Sequence, residues 1–400
     1  MTSNDNMKKI LILSLAYFPK HVGGAEVAIK EITNRIAPED IEFHMVTLAL
    51  GKELSKEEKI GNVIVHRVGF GNTGILNKFL FQFLAAWKSL SLHRIHRYDA
   101  LWAVMAHSAG VPAALFKLYH PRVPYILTLQ EGDPPERIER MMLPLWPLFS
   151  HAFKKADIVQ AISVFLGKWV RRRGFKGLLE VIPNGVNIKH FSQEYAERAV
   201  GEIKDKLGKR MGDIFLVTTS RLVHKNAVDD IIAALRFLPE NIKLIILGSG
   251  PLEKKLKLQA KGYKLETRIQ FMGHIGHEEM PKYLKACDIF IRPSRSEGMG
   301  NSFIEAMAAG LPVIATQEGG IADFLFDEKR NPDKPITGFA VDTDSPEQIA
   351  AQVKHVMDHP EKVRAVIATA RAMVMEKYDW DLIARDMREK VFARLFEPSV

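Results

Sequence analysis

Two glutamates, Glu297 and Glu305, flank a glycine turn in the stretch Pro293-Ser294-Arg295-Ser296-Glu297-Gly298-Met299-Gly300-Asn301-Ser302-Phe303-Ile304-Glu305-Ala306-Met307. An apolar run, 289–292, feeds this loop, and a helical pattern begins near Ser302. A helix start presents unpaired backbone N–H groups that suit an anion such as phosphate, and Ser302 is of a type that caps one. Two carboxylates would repel phosphate, so beside it they suit hydrogen bonds from hydroxyls, those of a ribose and of a sugar ring. The apolar neighbours of Glu305, Phe303-Ile304 and Ala306-Met307-Ala308-Ala309, argue against an idle surface side chain. Two further glycine turns are weaker signals. Gly23-Gly24 precedes a helical pattern with Glu26 in its first turn, and Gly248 lies in Leu247-Gly248-Ser249-Gly250-Pro251 after an apolar run. Neither has the Gly-x-Gly-x-x-Gly spacing of a dinucleotide fingerprint.

These loops need a frame. Short β-branched runs at 9–15, 43–48, 63–68, 101–105, 125–129, 158–161 and 180–182 alternate with amphipathic segments, among them Ala25, Ala28, Ile29, Ile32 and Ile36 at helical spacing. The alternation pauses at Ile182-Pro183-Asn184-Gly185-Val186-Asn187 and a charged stretch reaching Asp213, then resumes at 214–219, 243–247, 268–272, 289–292 and 313–316. Near-continuous apolar strands alternating with helices imply parallel sheets covered on both faces. The predicted organisation is α/β, with two Rossmann-like doubly wound units: residues 1–187, residues 188–378, and a closing helix over 379–400. Sheets of this kind bind ligands beyond the C-terminal ends of their strands, where these loops fall.

The chain has 400 residues and a single cysteine, Cys287, which excludes an intrachain disulfide and a paired-cysteine zinc site. Lys8 and Lys9 before an apolar run resemble the start of an export signal. The run is short, though, and no small-residue cleavage pattern follows it, so a cytoplasmic protein is expected. No stretch approaches the ~18 uninterrupted apolar residues of a spanning helix. The net charge of +9 is uneven: residues 1–190 hold 25 Lys and Arg against 16 Asp and Glu, and the remainder holds 31 of each. The basic half points to an anionic partner. It has no basic arm and no stripe of interleaved aromatics, so nucleic acid is not expected. Leu76, Phe79, Leu80, Phe83, Leu84 and Trp87 form an apolar stripe with Lys78, Lys88, Arg94 and Arg97 nearby. A second apolar stretch, 141–149, is followed by Lys154-Lys155, and Arg171-Arg172-Arg173 adds charge. Such patterns suit the cytoplasmic face of an anionic membrane; packing of both stripes on the sheet is the alternative.

The spacing from Glu297 to Glu305 matches the Glu-x7-Glu motif of retaining glycosyltransferases of family 4, and the likeness extends along the chain. Gly23-Gly24-Ala25-Glu26, Val181-Ile182-Pro183-Asn184-Gly185-Val186, Thr219-Ser220-Arg221-Leu222-Val223, Gly273-His274-Ile275 and Ala286-Cys287-Asp288-Ile289-Phe290-Ile291-Arg292-Pro293-Ser294 resemble that family's segments in order. The resemblance implies the GT-B fold, two Rossmann-like domains facing a central cleft. It implies acceptor binding by the N-terminal domain, binding of a UDP- or GDP-sugar donor by the C-terminal one, and a last helix that crosses back onto the first. Arg221 and a nearby lysine would neutralise the leaving diphosphate, Glu305 would hold the ribose and Glu297 the transferred hexose. Backbone groups at Gly300, Asn301 and Ser302 would bind phosphate, those near His274 and Ile275 the base, and the turns at Gly23, Gly24 and Gly248 would approach the ligand. Fixed positive groups would stabilise the growing charge without a divalent metal or other cofactor, and retention would follow from same-face attack. The acceptor would be lipid-linked or a glycan, in cell-surface polysaccharide or glycolipid synthesis.

Three positions depart from the family pattern. Asn226 stands where the lysine five residues after the arginine is usual, with Lys225 before it; Lys225 would reach the phosphates through a shifted loop, or Asn226 would donate to them instead. Gln130-Glu131 stands where a histidine often ends the strand 125–129, and Asn187 where an aspartate commonly follows Asn-Gly-Val. His107, after the strand 101–105, is the candidate catalytic or acceptor-binding side chain of the first half, with a structural hydrogen bond as the alternative. Asp342-Thr343-Asp344 has the spacing of a manganese-binding pair but precedes Ser345-Pro346-Glu347, so it reads as a helix cap. The competing functions are a nucleotide-sugar epimerase of the same fold, which needs no acceptor, and a binding protein that has lost catalysis.

Overall fold

The computed structural model describes residues 7–20 and 22–396. Two units divide the chain: one runs to Asn184 and takes back the segment from Trp380, the other comprises Gly185–Asp379.

The first unit is built on an eight-stranded sheet of order β3-β4-β2-β1-β5-β6-β7-β8. Its strands are β1 (Lys8–Leu13), β2 (Ile41–Leu48), β3 (Glu57–Ile60), β4 (Val63–Val68), β5 (Ala100–Val104), β6 (Tyr125–Leu129), β7 (Ile158–Ala161) and β8 (Leu178–Val181). All neighbours are parallel except β3 and β4. The largely apolar character of β5, β6, β7 and the second half of β1 is explained by burial on both faces. Sequence reading misses β3 because Glu-Glu-Lys-Ile is charged and half exposed, as an antiparallel edge strand can be. Helix Trp380–Asp386 and the π-helical turn Met387–Phe392 supply Trp380, Ile383, Met387, Val391 and Phe392 to this unit's core.

The second unit has six parallel strands of order β11-β10-β9-β12-β13-β14. They are β9 (Ile214–Thr219), β10 (Ile242–Leu247), β11 (Ile269–Gly273), β12 (Ile289–Arg292), β13 (Val313–Ala315) and the two-residue β14 (Phe339–Ala340), too short to leave a pattern.

Strand order decides where a ligand can sit. In the first unit the chain winds outward from β1 to one edge and returns to β5, so the loops after β1 and β5 diverge from adjacent strands. In the second unit the same reversal falls between β9 and β12. Crevices open at such switch points. Gly23-Gly24 and His107 therefore stand at one switch point, and Arg221–Asn226 and Glu297–Ser302 at the other.

Candidate functional site

The second unit's switch point is organised by an arginine that ends a buried strand. Arg292, 8% exposed, donates to Ser302 Oγ at 2.6 Å, to Asn226 Oδ1 at 2.9 Å and to Glu297 Oε2 at 2.5 Å. Asn226 in turn donates to the carbonyl oxygen of Arg221 at 2.6 Å. One guanidinium thus ties the loop after β9 to the loop after β12 and to the start of helix Asn301–Ala308. A charge at the end of an apolar strand must find partners, and that signal was present in the sequence. Sequence reading names Ser302, Asn226 and Glu297 without the residue that joins them.

Arg295 adds a second brace. Its guanidinium donates to Asp229, Asp230 and Asp344 and to the His224 carbonyl, while its backbone N–H donates to the Lys225 carbonyl at 2.7 Å. Burial pushes Asp230 up to about 6 against the opposing pull of Arg295. Asp344 belongs to this network and Asp342 to an ion pair with Arg330. Helix Pro346–Asp358 begins at Ser345 with no side-chain cap. The expectation that Asp342 and Asp344 cap it is corrected: Arg295 takes the Asp344 carboxylate, and Arg330 with the Gln348 side-chain amide takes that of Asp342.

Glycines set the loop's path at two points. Gly300 has φ +86, in the left-handed region, and precedes the first residue of helix Asn301–Ala308. Gly319 lies so close to the Glu297 backbone that a Cβ there would meet its carbonyl oxygen at 2.0 Å. The Glu297 carbonyl also accepts from Gly320 N–H at 3.0 Å, so Gly319-Gly320 fixes the glutamate loop from behind. Sequence reading does not single these two out.

The other expected residues are placed as follows. The guanidinium of Arg221 is exposed and Lys225 is half-buried; neither cation has a hydrogen-bond or ion-pair partner among the described residues. Asn226 is 2% exposed with its oxygen on Arg292 and its nitrogen on Arg221, an internal strut. Glu305 is half-buried, one helical turn along, with His277 Nε2 at 3.5 Å from Oε1. His274 is exposed and Ile275 half-buried just beyond β11. Gly248 donates to the Gly273 carbonyl at 2.7 Å, joining the ends of β10 and β11.

If the phosphate cation is Lys225, Lys225→Ala lowers donor turnover more than Asn226→Ala, since only lysine offsets phosphate charge. Single-turnover rates with saturating acceptor compare the two. The opposite order would move the cation's role to the Asn226 position.

At the first unit's switch point, Gly23 N–H donates to Glu26 Oε2 at 2.7 Å, so the helix that opens at Gly24 already has a carboxylate on its first amide. The N–H of Ala106 likewise donates to Glu131 Oε1 at 2.5 Å, and His107 Nδ1 lies 3.5 Å from the same oxygen. Glu131 is 1% exposed, and its Oε2 is buried without a hydrogen-bond partner. Met105, between β5 and helix Ala106–Tyr119, has φ +70, a strained conformation for a non-glycine residue. Gln130 accepts from Asn184 Nδ2 at 3.2 Å. The Gln130-Glu131 pair thus orders the loops around His107.

Doubly wound units with cations and a helix start at a switch point define an α/β protein suited to an anionic ligand. Comparison with known families makes this specific. The family model "Glycosyltransferase Family 4" matches residues 22–190 and the model "Glycosyl transferases group 1" matches residues 200–373. An uncharacterized glycosyltransferase of Methanocaldococcus jannaschii is 26% identical over 391 residues, 97% of this chain and 98% of its own. A GDP-mannose-dependent alpha-(1-6)-phosphatidylinositol monomannoside mannosyltransferase of Mycobacterium tuberculosis is 28% identical over 244 residues, 58% of this chain and 61% of its own. The structure of Anabaena HepE in complex with UDP and glucose superposes with a TM-score of 0.78 at 21% identity, over 96% of this chain and 100% of that one. The chain belongs to the family 4 type of glycosyltransferase, an enzyme family with the GT-B fold.

Proposed function

We propose that the enzyme transfers a hexose from a UDP- or GDP-sugar to a lipid-linked or glycan acceptor, with retention and without a metal, at the cytoplasmic face of an anionic membrane. The observation that carries the donor reading is the Arg292 network. It holds the exposed Arg221, Lys225 and the start of helix Asn301–Ala308 in one place while leaving both cations without a partner among the described residues. A diphosphate arriving there meets a helix start and two cationic side chains that can turn to it and stabilise the charge that grows on the leaving group. Glu297 is held by Arg292 with its carboxylate in the loop, where it would accept from the sugar hydroxyls. Glu305 would accept from the ribose. The relative that uses GDP-mannose and the neighbour seen with UDP and glucose support a nucleoside diphosphate sugar. Retention would proceed by attack on the face the diphosphate leaves, a diphosphate oxygen taking the acceptor proton. Thermal shift against UDP-, GDP- and ADP-sugars, followed by product anomer analysis with and without a chelator, tests this. No stabilisation by any of the three donors would overturn it, and product formed without acceptor would favour the epimerase.

The membrane reading gains support from helix Ile75–His96. Its buried face is Asn77, Phe81, Gln82, Ala85, Ala86, Ser89 and Leu92. The apolar stripe lies elsewhere: Ile75 is 88% exposed, Leu76 69% and Trp87 67%, with Phe79 and Phe83 also exposed. Lys78, Arg94 and Arg97 are exposed on the same helix and its cap. Met141, Leu143 and Trp146 are exposed as well. Packing of the first stripe on the sheet is thereby corrected for Leu76, Phe79, Phe83 and Trp87, since Phe81, Leu92 and smaller or polar side chains are buried instead, while Leu80 and Leu84 are half-buried. Of the arginine run, Arg173 is spent internally on Glu139 and over the Trp146 ring. Among the described residues no helix is long and apolar enough to cross a membrane. An apolar helix face beside basic residues suits interfacial binding, at ~1 kcal/mol per basic residue near an anionic leaflet. Co-sedimentation with phosphatidylglycerol vesicles is expected at low salt and is weakened by Trp87→Ser with Phe83→Ser. Absence of binding at low salt would assign the charge to a soluble anionic acceptor.

A further inference from the structure

Away from the ends of the strands that face a ligand, the first unit gathers an unusual set of histidines. Glu42 and His44 lie two apart near the N-terminal end of β2, on one face of the sheet, and His96 ends helix Ile75–His96 beside them. One ligand atom from each of the three lies within 4.8 Å of the others. His44 Nε2 is 2.9 Å from Glu42 Oε1, and the His44 and His96 rings stand 4.4 Å apart. Donors around a four-coordinate zinc-class ion, at bonds of about 2.0–2.2 Å, are separated by about 3.3 Å. Small side-chain shifts would bring all three to one centre.

We propose that Glu42, His44 and His96 form a site for a divalent transition metal of the zinc class, with water as the fourth ligand. The groups behind the three support it. His44 Nδ1 is 3.1 Å from His66 Nε2, and His66 Nδ1 is 3.0 Å from Glu57 Oε2. With His44 Nε2 on the metal, its Nδ1–H donates to His66 and the Nδ1–H of His66 faces Glu57, which sets both tautomers. A histidine ligand backed by an acceptor in this way is the usual arrangement around a bound metal. A second observation is independent of the ligands. The Tyr98 hydroxyl is buried without a hydrogen-bond partner, its ring 5.3 Å from that of His44 and 5.7 Å from that of His96. A metal-bound water would satisfy such an orphan.

Lys9 Nζ lies 3.5 Å from Glu42 Oε1 and is the cation a metal would displace. The ion would pin the end of helix Ile75–His96 to β2. It serves no step of sugar transfer, so chelation would leave the activity proposed above intact.

The test uses the untagged full chain, stripped of metal and titrated with cobalt(II) alone. One equivalent is expected to bind with the visible absorption of a four-coordinate ion and to be displaced by zinc. Glu42→Gln and His96→Ala should each weaken binding about tenfold or more. Lys9→Met should tighten it. His355→Ala, from a histidine pair with rings 4.2 Å apart in the second unit, should change nothing. No binding at millimolar cobalt, or binding indifferent to Glu42→Gln, His96→Ala and Lys9→Met alike, would overturn the proposal. Donor thermal shift run beside it is independent of the outcome.

Discussion

Arg221→Ala is expected to lower kcat/KM for the donor about 100-fold, some 3 kcal/mol of lost transition-state stabilisation, while leaving the melting temperature within about a degree of wild type. The two halves of that expectation have separate causes. Arg221 is exposed and its guanidinium has no partner among the described residues, so its removal breaks no contact of the free protein. Its carbonyl, which holds Asn226 at 2.6 Å, survives the substitution. What is lost is a fixed positive charge beside a diphosphate whose own charge grows as the sugar leaves. Arg221→Lys should recover part of the rate, since charge is kept while paired N–H donation is lost. The two glutamates should separate by kinetic parameter. Glu305→Ala weakens the affinity for the nucleoside diphosphate itself, because its proposed contact is the ribose. Glu297→Gln leaves that affinity near wild type and lowers kcat with the intact donor. Wild-type turnover in both glutamate variants would remove the donor from this site.

How far the sequence discloses this site depends on which side of a contact a residue stands. Strands such as β9 and β12 are legible because both faces are buried, and an apolar run with helices on either side has few other uses. Glu297, Ser302 and Glu305 are legible because a strand, a glycine turn and a helix start have a local spacing. Arg292 is not singled out, since its three partners lie five, ten and 66 residues away and only the fold brings Asn226 to it. Gly319 escapes for the same reason: its need for a missing Cβ comes from the Glu297 carbonyl, far back in the chain. The stripe on helix Ile75–His96 is visible as a period, but period alone does not say whether water or the sheet is on the other side. The structure resolves it through Phe81, Ala85 and Leu92, which are buried and turn Leu76, Phe79, Phe83 and Trp87 outward.

Arg292→Met is expected to be the most damaging single substitution at the site, and it separates positioning from direct contact with donor. The guanidinium and the Glu297 carboxylate are each about 10% exposed as side chains. Removing one partner of a buried pair leaves the other charged group uncompensated, at a cost of roughly 3–5 kcal/mol. Asn226 Oδ1 loses its donor and Ser302 Oγ a hydrogen bond at the same stroke. For a unit of this size each kcal/mol shifts the midpoint by roughly 2–4 °C, so a drop of about 6–20 °C is expected in the transition that reports the second unit. The double variant Arg292→Met with Glu297→Gln removes both charges and should regain much of that stability, because the buried carboxylate no longer stands alone. It should not regain turnover, since the loops after β9 and β12 are no longer tied and Glu297 is gone. Differential scanning calorimetry of the two single variants and the double supplies the coupling energy directly. A coupling near zero would mean that the pair is solvated in solution and that Arg292 does not organise the site.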